Sequence, residues 1–280
     1  MIGFGQTLIP DANFEQALIN LGYDTGTPNG SVPTANINAV TYLDVESQNI
    51  ADLTGIEDFT VLTYLNCIGN QLTSLDVSTN TTLDSLNFGA NQLTSLDVSQ
   101  NTALTFLHCG LNNLTSLDVS TNTALTFLNC GYNQLTSLDV STNTALTALG
   151  CELNNLTILD VSQNTALTFL HCWDNQLSSF DVRNGNNTNI TDFWATGNPN
   201  LSCINVDDST WSTNNWGAFI DLQHYFSNNC SGTTVIQEHS TNKELLKITD
   251  LLGRDAEKKR NTPLFYIYDD GTVEKRIVIE

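Results

Sequence analysis

Positive charge is what this chain has least of. Only 9 lysines and arginines stand against 30 aspartates and glutamates, a formal net charge of −21. The shortage is local: residues 1–242 hold one basic side chain, Arg183, against 22 acidic ones, whereas 243–280 balance 8 basic groups with 8 acidic. A body so poor in cations repels phosphate, which excludes nucleic acid and anionic membrane surfaces as partners. The break near residue 242 separates two segments with different histories. Long apolar runs are missing too. None approaches the ~20 residues of a membrane-spanning helix, so no transmembrane span is expected. The opening Met1-Ile2-Gly3-Phe4-Gly5-Gln6 lacks the basic region and the full apolar stretch of a complete signal peptide. Residues 1–6 therefore read as the residual end of a signal peptide or an artificial start, with a true cytoplasmic start as the alternative. No Gly-rich phosphate loop, zinc signature or paired-carboxylate motif is present.

What is there is a repeat. The block at residues 104–124, LTFLHCGLNNLTSLDVSTNTA, recurs with a period of 21. Its copies place Cys or Phe in step at Cys67, Phe88, Cys109, Cys130, Cys151 and Cys172, and a shifted copy brings Ala195 there after a two-residue insertion around Gly185–Asn187. Asparagines keep the same step at Asn70, Asn91, Asn112, Asn133, Asn154, Asn175 and Asn198. Alternation around Leu107 sends Leu107 and Cys109 inward and leaves Phe106 and His108 outside. The half-coil around Leu117 alternates likewise, so two short strands per coil are predicted. A single coil buries too little apolar surface to fold alone, and stacking on its neighbours supplies the rest. The asparagine column turns the chain, its amides satisfying loop backbone groups.

The open ends need covers. Asp11 reads as the N-cap of a short helix with Phe14, Ala17, Leu18 and Leu21 on one face and Gly22 as its stop. At the other end Trp211, Trp216, Phe219, Leu222 and Phe226 suit a second cap. Seven cysteines are an odd number. The five in the inward column behave as small hydrophobes, whereas Cys203 and Cys230 flank the second cap, where a disulfide would staple it in an oxidising setting.

The pattern L-x-x-L-x-C-x-x-N-x-L resembles the leucine-rich repeat, in particular the 21-residue repeats with cysteine ladders of internalin-like surface proteins. The expected fold is a β-rich leucine-rich-repeat solenoid, two short strands per coil in a parallel sheet, with an N-terminal capping helix and a small C-terminal β-appendage. Expected boundaries are 7–61 for the N-terminal cap and degenerate first repeat, 62–206 for the repeats, 207–230 for the C-terminal cap and 231–242 for a linker. Residues 243–280 resemble the C-terminal sorting domain of the type IX (Por) secretion system of Bacteroidetes. That likeness rests on Asp250, Leu251, Leu252, Gly253 and Arg254, and on the run from Tyr268 through Asp270, Gly271 and Lys275 to Arg276. It implies an address read by the type IX machinery, and an extracellular or outer-membrane location. Asp269-Asp270-Gly271 between two alternating runs is also a hairpin signal.

Function is sought on the outward positions of the main sheet. Tyr64, Phe106, His108, Phe127, Asn129, Phe169, His171, Trp173 and Trp194 form a candidate ligand-binding face on a concave sheet, suited to a protein or glycan ligand. Plain stacking of these rings along the ladder is the alternative. A second outward column, Asp76, Asp97, Asp118, Asp139, Asp160 and Asp181, sets like charges about 4.8 Å apart. Bonds from neighbouring Ser and Thr hydroxyls are expected to relieve them, with bound Ca²⁺ at Asp97, Asp118 and Asp139 as the alternative. No cofactor and no catalytic group is expected, because the Ser and Asp residues are periodic and His108 and His171 lie three coils apart. The chain reads as a binding or adhesion protein and not an enzyme; the alternative is a structural spacer without a specific ligand.

Overall fold

A computed structural model describes residues 5–230, 245–249, 254, 256, 264–268 and 273–276. The chain divides into two compact units, Met1–Cys230 and Ser231–Glu280.

The first unit opens with strand β1 (Gln6–Leu8) and helix α1 (Ala12–Asn20). Asp11 caps the helix by accepting from the N–H groups of Asn13 and Phe14 through Oδ1. Its Oδ2 accepts from the N–H groups of Ala51 and Asp52, which ties the helix to the first coil. Phe14, Ala17 and Leu18 are buried as the helical spacing requires, and Gly22 stops the helix at φ +85°. Leu21 is a correction: it lies past the last turn and is exposed. Strand β2 (Ser31–Pro33) pairs antiparallel with β1, and the short helix α2 (Thr34–Ile37) leads into the solenoid. The carboxylate of buried Glu15 clamps this cover by accepting from Asn29 N–H and Gly30 N–H at 2.6 and 2.7 Å.

The coils then contribute β3 (Tyr42–Asp44), β4 (Tyr64–Asn66), β5 (Ser85–Asn87), β6 (Phe106–His108), β7 (Phe127–Asn129), β8 (Ala148–Gly150), β9 (Ile158–Asp160), β10 (Phe169–His171), β11 (Ser179–Asp181) and β12 (Asp192–Trp194). All except β9 and β11 form one parallel sheet of eight strands, in chain order from β3 to β12. Its register is strict: Leu65, Leu86, Leu107, Leu128, Leu149, Leu170 and Phe193 are successive partners. These residues and the Cys/Phe column beside them are buried in one continuous core. Burial pushes the Cys67 and Cys109 thiols up to about 12, so both are protonated space-fillers.

The second strand per coil forms only late in the solenoid. Strands β9 and β11 join β13 (Cys203–Asn205) and β14 (Tyr225–Ser227) in a separate four-stranded sheet, and the corresponding stretches of the earlier coils form no strand. Burial of this column rises along the solenoid: Leu75 and Leu96 are only partly covered, Leu117 and Leu138 are buried yet lie in no strand, and Leu159, Phe180 and Ile204, which do lie in strands, are dry.

Helix α3 (Ser209–Trp216), capped by Asp208, covers the far end. Trp216 stacks on Phe193 at 4.2 Å and is buried, as is Phe226. Leu222 and Phe219 depart from the expected cap, since both are exposed. The turn carrying Leu222 buries His224 instead, whose Nε2 donates to the Asn198 carbonyl at 3.0 Å. Cys203 and Cys230 form a disulfide that ties β13 to the last residue of this unit.

In the second unit, β15 (Leu245–Thr249), β16 (Leu264–Tyr268) and β17 (Val273–Arg276) form an antiparallel sheet in that order. Asp250, Leu251, Leu252, Gly253, Asp270 and Gly271 lie outside the described residues, as do the linker 231–242, residues 1–4 and the Lys275 side chain. Arg254 is exposed, and Tyr268 ends β16.

Candidate functional site

The outer face of the eight-stranded sheet carries its side chains in columns, because strict register repeats each outward position one strand spacing away. The first column runs Tyr42, Tyr64, Ser85, Phe106, Phe127, Ala148, Phe169 and Asp192. Its rings group in pairs: Tyr42 on Tyr64 at 4.3 Å and Phe106 on Phe127 at 4.4 Å, each within 6° of parallel. Ser85 and Ala148 interrupt the row. Phe169 has no ring partner in the next coil back and leans onto His171 at 4.0 Å. Stacking along the ladder is therefore real, and it still leaves most of these rings half exposed, with Tyr42 at 55%.

The second column is polar: Asn66, Asn87, His108, Asn129, Gly150, His171 and Trp194. Here side chains bond along the solenoid. His108 Nδ1 donates to Asn87 Oδ1 at 3.0 Å, and burial pulls the imidazole below its ordinary value. His171 Nε2 meets Asp192 Oδ1 at 2.8 Å, and Trp194 sets its ring edge-on to His171 at 5.9 Å. Asn129 Oδ1 accepts from Gly131 N–H at 3.1 Å.

A third column explains three glycines. A Cβ on Gly89 would lie 2.3 Å from the His108 ring, one on Gly110 2.9 Å from Asn129 Oδ1, and one on Gly131 2.6 Å from Glu152 Oε1. Each outward side chain folds back over the glycine of the preceding coil, so the column stays empty to receive it. Glu152 and Trp173 break this column.

Beside it runs a ladder of left-handed residues: Ala90, Leu111, Tyr132, Leu153 and Asp174, with φ from 50° to 57°. Glycine takes the same position at Gly69 and Gly197. Each side chain held there costs about 1 kcal/mol or more. Leu111 and Tyr132 are nonetheless exposed, and Tyr132 meets Trp173 edge-on at 6.0 Å. Tyr42, Leu111 and Tyr132 escaped the sequence reading. The outward alternation could have placed Tyr42, but nothing in composition marks a left-handed leucine.

The nine sequence-selected residues thus lie on one face. Tyr64, Phe106, Phe127 and Phe169 share the first column, His108, Asn129, His171 and Trp194 the second, and Trp173 the third. The aspartate column lies on the other flank of the coils. Asp76, Asp97, Asp118 and Asp139 each accept from the serine two residues on, and hydroxyl and backbone bonds hold these carboxyls below the usual range. Among the described residues no group of three or more His, Cys, Asp or Glu side chains is placed to hold a metal ion. Among the same residues no helix is long and apolar enough to cross a membrane.

No protein-family model matches the chain, and no curated protein matches it. Solved structures do. The functional domain of InlJ from Listeria monocytogenes, described as including a cysteine ladder, is 30% identical over 79% of this chain and 60% of that chain, with a TM-score of 0.46. A leucine-rich-repeat protein of Leptospira interrogans is 20% identical over 69% of this chain and 55% of that one, with a TM-score of 0.48. The chain therefore spans less than two thirds of the length of either. Internalin C2 of Listeria monocytogenes is 19% identical over 74% of this chain and 99% of its own, with a TM-score of 0.50. With the coil-by-coil register of the parallel sheet, this last likeness shows that the chain has the leucine-rich-repeat solenoid fold seen in the internalins.

Proposed function

We propose that this protein is a secreted or surface-displayed binding or adhesion module. It engages a protein or glycan ligand with the outer face of its eight-stranded sheet, and is exported by type IX machinery reading residues 243–280. The row of half-exposed aromatic pairs carries the reading. The inward leucines already stabilise the strands, and Ser85 and Ala148 show that the coil closes without a ring at that position. Rigid rings with imidazole and amide groups beside them supply binding surface at low entropic cost. The Cys203–Cys230 disulfide suits an oxidising compartment, and the charge-balanced tail with its sorting-domain likeness favours export over a cytoplasmic life.

The test is a screen of the purified chain against a glycan array and a panel of outer-surface proteins, with and without calcium. Replacing Phe106, Phe127 and Phe169 together by Ser is expected to abolish a saturable hit while leaving the circular dichroism spectrum unchanged. A hit that survives the triple substitution takes the ligand off the aromatic row, and silence on both panels from a folded monomer returns the protein to the spacer reading.

A further inference from the structure

Helix α3 brings more aromatic surface to the far end of the solenoid than covering it requires. Trp216 closes the core. It is buried, stacks on Phe193 at 4.2 Å, and its indole N–H donates to the Ile190 carbonyl at 3.2 Å. Trp211 stands edge-on to Trp216 at 5.4 Å and stays partly exposed. Among the described residues its indole N–H donates to no protein group. Phe219 follows in a short turn (Gly217–Phe219), with its carbonyl accepting from Ala195 N–H at 2.9 Å and its ring exposed.

Between this cap and strand β12 lies a cleft of about 280 Å³, lined by Trp211, Trp216, Phe219, Thr191, Asp192 and Asn215 among others. The cap side supplies rings and the coil side a carboxylate and a hydroxyl. Asp192 occupies the outward column position that carries a ring in β6, β7 and β10, and its Oδ1 is held by His171 Nε2 at 2.8 Å. Asn215 donates through Nδ2 to the Trp211 carbonyl at 2.8 Å, which fixes the amide and leaves Oδ1 to accept. The Thr191 hydroxyl leans on the Thr168 carbonyl as donor and keeps its lone pairs to accept. With the Trp211 N–H, the cleft therefore combines ring surface with donors and acceptors.

That combination matches a hydroxylated ring, whose C–H face packs on an aromatic and whose hydroxyls both donate and accept. The volume admits one ring and not a chain, since pockets for drug-sized ligands begin at about 300 Å³. An organic cation is the competing occupant, because rings beside a carboxylate also form cation cages. A cage needs several open ring faces, and Trp216 is 3% exposed with Phe193 against its plane. Anionic sugars are disfavoured by the charge of the body, whose one basic side chain, Arg183, is paired with Asp181. We infer that this cleft binds a single neutral pyranose unit of a glycan, packed on the cap aromatics Trp211 and Phe219 and hydrogen-bonded to Asp192 and Asn215. The site goes beyond the proposed binding face, because none of Phe106, Phe127 and Phe169 lines it.

The test is an NMR titration of the isotope-labelled full chain, following its four tryptophan indole N–H signals and the Thr191 and Asn215 amides. The probes are the methyl pyranosides of glucose, galactose, mannose, fucose and N-acetylglucosamine, with glucuronate and tetramethylammonium as charged controls. At least one neutral glycoside is expected to shift the Trp211 indole saturably at roughly millimolar concentration, as so small a contact allows. Neither control is expected to do so. Asp192→Asn, which keeps an oxygen for His171, is expected to weaken that glycoside several-fold. Trp211→Leu is expected to abolish its effect on the Thr191 and Asn215 amides. In both variants an unmoved Trp216 indole signal, set by the bond to Ile190, reports an intact cap. No saturable shift with any of the five glycosides overturns the site. So does glycoside binding that both substitutions leave unchanged, or tetramethylammonium binding tighter than every glycoside. The triple Phe→Ser change on the sheet face is expected to leave glycoside binding intact, and its loss there would move the sugar to that face and remove the cleft.

Discussion

His108 shows how tightly single residues on the sheet face are fitted. Its ring lies on Gly89, where even a methyl group would collide, and bonds back to Asn87 of the preceding coil. Burial favours the neutral imidazole and lowers its value below the ordinary 6.5. The stability this gives is fully present above that ordinary value, and is lost as pH falls through the lowered folded one. Asparagine stands in register on both sides, at Asn87 and Asn129. His108→Asn is therefore expected to keep the fold and to shrink the drop in unfolding free energy between about pH 7 and pH 5. Urea melts of both proteins at the two values measure it, and an unchanged drop would take His108 out of the pH response. The sequence displays Gly89, Gly110 and Gly131 plainly. Why they are glycine is invisible there, because the ring or amide that fills each space comes from a residue 19 or 21 positions later.

Whole elements were more legible than single side chains, and the reason is burial. A position that faces the core in every coil can be filled in few ways, so Leu107, Cys109 and Val119 announce themselves by their period. The first asparagine column is equally plain. Asn112 Oδ1 accepts from Leu93 N–H of the preceding coil while its Nδ2 donates to the Phe88 and Cys109 carbonyls. A second column, Asn80, Asn101, Asn122, Asn143 and Asn164, is buried completely, yet it passed unnoticed because the surrounding Ser-Thr-Asn-Thr looks like ordinary loop. Asn122 Nδ2 donates to the Val98 and Asn101 carbonyls at 3.0 and 2.9 Å, closing the turn onto the coil before it. Each carbonyl also accepts a backbone N–H, from Asn101 and Leu104 respectively, so Asn122→Ala removes the coil-to-coil bond without stranding either one and is expected to cost about 1–2 kcal/mol. The exposed control Asn113→Ala is expected to stay within about 0.5 kcal/mol. Equal losses from the two in urea denaturation would show that the buried column does not bind coil to coil. The missing early strands belong at this scale as well. Alternation at Leu75, Leu96, Leu117 and Leu138 matches that at Leu159, yet only Leu159 lies in a strand, and alternation cannot show how fully each of these leucines is covered.

At the scale of the whole molecule, regular stacking multiplies every outward charge. A carboxylate tolerable in one coil becomes a row when the coil is copied, and Asp97 carries the repulsion of both Asp76 and Asp118. Serine hydroxyls and backbone N–H groups hold these carboxyls ionised, which strengthens each turn and keeps the like charges in place. The one arginine among residues 1–242, Arg183, pairs with Asp181 at the end of the row, which leaves Asp76, Asp97, Asp118 and Asp139 without a lysine or arginine between them. Most proteins lose surface ion pairs as salt rises, whereas this one has repulsion to lose. Raising sodium chloride from about 10 mM to 500 mM shrinks the screening length from roughly 30 Å to below 10 Å. The melting temperature is therefore expected to climb across that range. Replacing Asp118 and Asp139 by Asn keeps an oxygen to accept from Ser120 and Ser141 while removing two charges from the middle of the row. That double variant is expected to melt higher than the parent at low salt and to converge with it at high salt. If instead the parent melts lower as salt rises, the column is held by attraction, and a bound cation at Asp97, Asp118 and Asp139 becomes the explanation to pursue.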